Sequence, residues 1–171
     1  SAGVAHCPSS NLKLASGAAP VSRMLSIGLN VGIGTDGPAS NNDLDMFEEI
    51  RLAAFLAKGI TGDPTTVPAS TPLSMATRLR ARAMHMDHLT GSLDHGKSAD
   101  LIVVDLSTLN TAPRFHRNKV NIYSQLVYSA KSTDVQSVMV NGQWLMRDRE
   151  LLSLDHENLI TMADEYAHRI D

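Results

Sequence analysis

The stretch Val31-Gly-Ile-Gly-Thr-Asp-Gly-Pro-Ala-Ser-Asn-Asn-Asp-Leu-Asp-Met-Phe-Glu-Glu-Ile50 sets the narrowest limits on the fold. A short apolar strand runs into Thr35-Asp36-Gly37, a loop broken by Gly and Pro follows, and an amphipathic helix comes next. This is the order of a β/α unit. Asp36 stands where the strand ends and the loop opens, which in barrel and doubly wound α/β folds is the face that carries chemistry.

The flanking sequence repeats the pattern. Residues 1–6 read as a strand end, and residues 6–15 as a polar loop. Pro20 suits the first turn of a helix ending near Ile27, with Gly28 as its stop, and Asn30 to Gly34 is the next strand. Strand, loop, helix, strand implies parallel pairing. The helix after Asp36 is expected to be N-capped within Ser40–Asp43 and closed by Lys58-Gly59. Thr71-Pro72 opens a further helix over roughly 73–86, in one piece or two. The character changes near residue 90. Asp100–Leu106 is strongly β-forming, 107–121 is irregular and polar, and Val135–Val140, Asn141-Gly142 and Gln143–Met146 read as a hairpin. Asp155 can cap a last helix. The expected class is α/β, with βα units over residues 1–89 and a small β-rich region with a terminal helix over residues 90–171.

Composition narrows the function. With 43% apolar and 19% charged residues, the 171-residue chain is expected to fold. A net charge of −3 gives no electrostatic basis for binding nucleic acid or an anionic membrane. No run approaches the ~18 apolar residues of a membrane span. The single cysteine, Cys7, excludes an intrachain disulfide and fits a cytoplasmic setting. The start lacks both Met and signal-peptide character, so the numbering is expected to begin inside a longer protein.

Several side chains can carry chemistry. Asp36 can bind a metal, move protons or close a turn. Ser40–Asp45 places five polar side chains in six residues beside that strand end. His6 also falls at a strand end, where it can be a core histidine, a ligand or a pocket residue. Ser9 and Asn11 can orient a loop or touch substrate. Cys7 reads as a buried thiol rather than a nucleophile. His85 and His88, spaced i, i+3 at a helix end, read as solvated, as do Arg78, Arg80 and Arg82. His95, His116, His156 and His168 are scattered. No phosphate loop, paired-Cys motif, Gly-x-Ser-x-Gly or His-x-His is present.

Three motifs together, Ala5-His-Cys-Pro-Ser-Ser-Asn-Leu-Lys-Leu-Ala-Ser-Gly17, Gly32-Ile-Gly-Thr-Asp-Gly37 and Ser40-Asn-Asn-Asp-Leu-Asp-Met-Phe-Glu-Glu49, resemble the metal-dependent amidohydrolase superfamily. The branch they resemble is the 5-methylthioadenosine/S-adenosylhomocysteine deaminases, within the group that includes triazine chlorohydrolases. Gly91–Asp105 and Val138–Gly142 resemble that superfamily's return from barrel to β-sandwich and its closing hairpin. The resemblance implies the C-terminal portion of such an enzyme: the last βα units of a TIM-like (β/α)8 barrel in 1–89, and part of a small β-sandwich in 90–171. It implies one divalent metal, zinc or else iron, with Asp36 as ligand and proton shuttle. The His ligands and catalytic Glu would precede Ser1. His6, Ser9 and Asn11 would shape the pocket of a small-molecule purine or related heterocycle. The implied reaction is deamination of an adenosine-type purine. Guanine, 8-oxopurine, cytosine or a chlorotriazine are alternative substrates, and a non-catalytic fragment needing its missing half is the alternative class. The expected association is a homo-oligomer or pairing with the missing N-terminal part.

Overall fold

The computed structural model describes residues 2–113 and 120–170. His116, and with it positions 114–119 of the expected irregular stretch, lies outside them. The first half is built on two parallel strands. β1 (Gly3–His6) pairs with β2 (Asn30–Ile33), with Gly3 opposite Asn30 and His6 opposite Ile33. Two short helices, α1 (Pro8–Lys13) and α2 (Val21–Ser26), make the crossover that a parallel pair requires. α1 corrects the reading of residues 6–15 as a loop. Pro8 takes the start of the helix, where its missing N–H costs nothing, and the Asn11 and Leu14 amides bond back to the Cys7 and Ser10 carbonyls. α2 ends before Gly28, which turns the chain at a φ of 80°.

After β2 comes one helical turn, α3 (Pro38–Asn41), and then the long helix α4 (Met46–Thr61). The N-cap of α4 is Asp45, beyond the expected Ser40–Asp43. Its carboxylate accepts from the Phe47 and Glu48 amides. The helix cannot start earlier, because Asn42 and Leu44 both take positive φ. At the far end α4 runs past Lys58-Gly59 and stops at Gly62, left-handed at φ 65°. Lys58 instead donates to the carbonyls of Pro64 and Thr66, folding the next turn back on the helix. α5 (Ser70–Ala76) and α6 (Arg78–Ala83) are the two pieces of the expected 73–86 helix, broken at Thr77.

β2 buries Val31, Gly32 and Ile33 together, as a parallel strand covered on both faces should. Val31 and Ile33 join Val21, Ile50, Ala53, Ala54, Ala57 and Met75 in the core. Two glycines let α6 lie directly on the sheet. A Cβ at Gly32 would stand 2.8 Å from Arg80 Cα, and one at Gly3 would stand 2.0 Å from the Ala83 carbonyl oxygen.

The second half is an antiparallel sheet of β3 (Leu101–Val104), β4 (Val135–Val140), β5 (Gln143–Arg147) and β6 (Glu150–Leu151), in that order. Asn141 and Gly142 turn the β4–β5 hairpin at φ 49° and 78°, as expected for a type I′ turn. The two-residue β6 was not anticipated from the sequence. Between β3 and β4, α7 (Val120–Ser124) runs into a wider helical turn, Gln125–Ser129, that returns Val127 to the core of the first half. α8 (His156–Ala167) is N-capped by Asp155 as expected and buries none of its residues. No described helix is long and apolar enough to cross a membrane.

Candidate active site

β1 and β2 end side by side, so the loops leaving their C-terminal ends meet. The Gly34 amide donates to the His6 carbonyl at 3.0 Å. Asp36 follows at a φ of 64°, a left-handed conformation uncommon for a residue with a side chain. Such a conformation persists where its surroundings hold it, and it concentrates at functional sites. Two hydroxyls do the holding here. Ser10 Oγ donates to Asp36 Oδ2 at 2.7 Å, and Ser40 Oγ donates to the same oxygen at 2.9 Å. The Ser10 hydroxyl first, then that of Ser40 and the Gly37 amide, keep the Asp36 carboxyl below the usual carboxylate range. The result is an exposed, oriented anion at neutral pH.

Behind it lies a second carboxylate. Glu49, in the first turn of α4, is 0% exposed. Its Oε2 accepts from the Ser9 amide at 3.2 Å, and its Oε1 accepts from Asn41 Nδ2 at 2.7 Å. Asn41 Oδ1 accepts the Leu44 amide at 2.8 Å. Lys13 ties the same two loops from outside, donating to the Ala39 carbonyl and to Asn42 Oδ1.

The residues expected at this site fare differently. His6 is 3% exposed, with both ring nitrogens buried and unpartnered among the described residues. Burial lowers its pKa and keeps it neutral. Ser9 enters through its backbone amide. Within the described residues, Ser9 and Asn11 form no side-chain hydrogen bond. Cys7 is partly buried between the loops; burial, then the Asp36 and Glu49 carboxylates, push its thiol up, against a nucleophilic role. His85 takes a positive φ beyond the end of α6, so the His85/His88 pair shares no helix.

Sequence reasoning missed Ser10 and Glu49. An acidic residue in the first turn of a helix suits its dipole and signals no site, yet Glu49, Ala53 and Ala57 form an i, i+4, i+8 series on the buried face of α4. That periodicity was the available signal. Ser10 had none beyond its place in a polar stretch.

A catalytic zinc takes about three protein ligands. Among the described residues no three His, Cys, Asp or Glu side chains are grouped to hold a metal. Asp36 fits one ligand position by its charge, exposure and fixed carboxylate, and the remainder of such a set is not found within the described residues.

Comparison with known proteins identifies the family. Residues 1–145 match the Amidohydrolase family. The chain is 51% identical to a 5-methylthioadenosine/S-adenosylhomocysteine deaminase of Moorella thermoacetica, covering 98% of this chain and 38% of that protein. It is 48% identical to a 5'-deoxyadenosine deaminase of Methanosarcina acetivorans, covering 98% of this chain and 37% of that one. Among solved structures, an adenosine deaminase of Xanthomonas campestris with bound zinc superposes with a TM-score of 0.92 at 45% identity, over 98% of this chain and 37% of that chain. An atrazine chlorohydrolase of Arthrobacter aurescens complexed with zinc gives 0.83 at 27%, over 95% and 35%. The chain therefore spans well under half the length of these relatives. With the family match running through residue 145 of 171, the chain belongs to the amidohydrolase family.

Proposed function

We propose that this chain is part of a metal-dependent hydrolytic deaminase acting on an adenosine-type purine, and that Asp36 is both a metal ligand and the proton carrier. Residues 1–89 would be the last βα units of a (β/α)8 barrel, and residues 90–171 a β-sandwich segment with the terminal helix. The two-stranded parallel sheet supports this reading. Among the described residues each of the two strands has a strand neighbour on one side only, and native sheets pair or cover their edges. Further barrel strands on both sides would complete it.

Zinc, with iron as the alternative, supplies when bound a Lewis acid that makes water a competent nucleophile near neutral pH. Asp36 is the ligand this chain contributes. Its carboxylate takes up a proton from water as the C–O bond forms at the amine-bearing ring carbon. It returns that proton as the C–N bond breaks and ammonia leaves. His6, Ser9 and Asn11 shape the substrate pocket from the β1 loop; the buried, unpartnered ring of His6 supports a role toward a group supplied from beyond this chain. The proposed setting is the cytoplasm, with assembly as a homo-oligomer or with the rest of the polypeptide.

The observation that carries the proposal is the ionised Asp36 carboxylate, held at the end of a parallel strand by two hydroxyls. The higher identity to deaminases than to the chlorohydrolase favours an amine over a chloride leaving group. The test is product release by the complete enzyme. Ammonia is expected from 5-methylthioadenosine, S-adenosylhomocysteine or 5'-deoxyadenosine, and chloride release from a chlorotriazine without ammonia from any purine would overturn the proposal.

A further inference from the structure

Glu49 has no part in the chemistry above, yet its burial is complete. Among the described residues no lysine, arginine or histidine nitrogen stands within 4 Å of it. Burying a carboxylate without a cation is costly unless hydrogen bonds compensate. The origin of its two bonds is informative. Oε2 accepts the Ser9 amide and Oε1 accepts the Asn41 side-chain amide. Ser9 precedes Ser10 and Asn41 follows Ser40, and Ser10 and Ser40 are the two hydroxyl donors to Asp36 Oδ2. One buried carboxylate thus anchors both loops a single residue away from the groups that orient Asp36. Ser40 Oγ has a competing acceptor, the Gly37 carbonyl at 3.0 Å, so its bond to Asp36 depends on where α3 is held.

We propose that Glu49 is a positioning residue, which through Ser9 and Asn41 sets the two hydroxyls that orient the Asp36 carboxylate. This rests on the catalytic reading of Asp36. Glu49→Gln keeps the volume but loses one acceptor, so an N–H must face either the Ser9 amide or the Asn41 amide. Combining N41D with E49Q rebuilds the network in reverse. The new carboxylate at position 41 accepts from the new amide at 49 and from the Leu44 amide, while the amide oxygen at 49 accepts from Ser9.

In the complete enzyme, E49Q should lower kcat roughly ten- to a hundredfold with KM within about threefold. The N41D/E49Q exchange should recover kcat to within about threefold of wild type. Hydrogen-exchange protection of the Ser9 amide should fall in E49Q and return in the exchange. D36A, run alongside, separates the two ideas. Normal turnover in D36A removes the catalytic reading and this one with it. An inactive D36A with E49Q at the wild-type kcat overturns the positioning role alone. So does an exchange that restores the melting temperature but not kcat, since Glu49 would then serve stability only. If E49Q does not fold, the exchange variant decides: folding with recovered kcat supports the role, and any other result overturns it.

Discussion

Asp36 combines a backbone that disfavours it with a carboxylate environment that favours its charge. The left-handed φ costs energy, while the Ser10 and Ser40 hydroxyls stabilise the ionised form. The sign of the pH effect follows. A carboxyl held below its ordinary value contributes stabilisation that is present above the unfolded pKa and is lost as pH falls through the folded one. The S10A/S40A double variant should therefore raise the Asp36 titration midpoint toward the ordinary carboxylate value, read from its carboxyl carbon by NMR. An unmoved midpoint would show that the hydroxyls do not set it. His6 runs the other way in charge. Burial keeps it neutral, so the unfolded chain binds its proton more readily once pH drops below about 6.5. Melting temperature should fall between pH 8 and pH 5, and His6→Asn should flatten that slope.

At the scale of elements, the close contact of α6 with the sheet makes the strand glycines critical. Gly32→Ala puts a methyl 2.8 Å from Arg80 Cα, which is backbone and cannot swing aside. A loss of about 1–3 kcal/mol is expected in urea unfolding; an unchanged midpoint would mean that α6 sits farther off than described. Asp45 is a different case, since it caps α4 and its Oδ2 accepts from Ser132 Oγ at 2.9 Å. Asp45→Ala should cost about 1 kcal/mol by the same measurement. Both strands of the parallel pair, the Gly28 stop, the Asn141-Gly142 hairpin and the Asp155 cap were legible, because each depends on local chemistry. Helix α1 was not, because Ser and Asn next to Pro8 serve a turn as readily as a first helical turn. The α4 start was misplaced because four consecutive polar residues all qualify as caps, and only the positive φ of Asn42 and Leu44 excludes the earlier ones. At the site, a carboxylate after a strand was legible from one stretch, whereas the Ser10 and Glu49 partners come from other segments and depend on how the loops pack.

For the whole molecule, the described residues supply the oriented Asp36 carboxylate and leave apolar side chains such as Leu14, Ile27, Leu159, Ile160 and Tyr166 exposed. That distribution suits surfaces that pack against further polypeptide. The isolated 1–171 chain should accordingly hold no stoichiometric zinc after dialysis, by elemental analysis, while the complete enzyme holds it. The most direct test is Asp36→Asn in the complete enzyme, with turnover and metal content measured on the same preparation. A fall in kcat of roughly 10²- to 10⁴-fold is expected for loss of the proton carrier; near-normal turnover with full metal content would contradict the role assigned to Asp36.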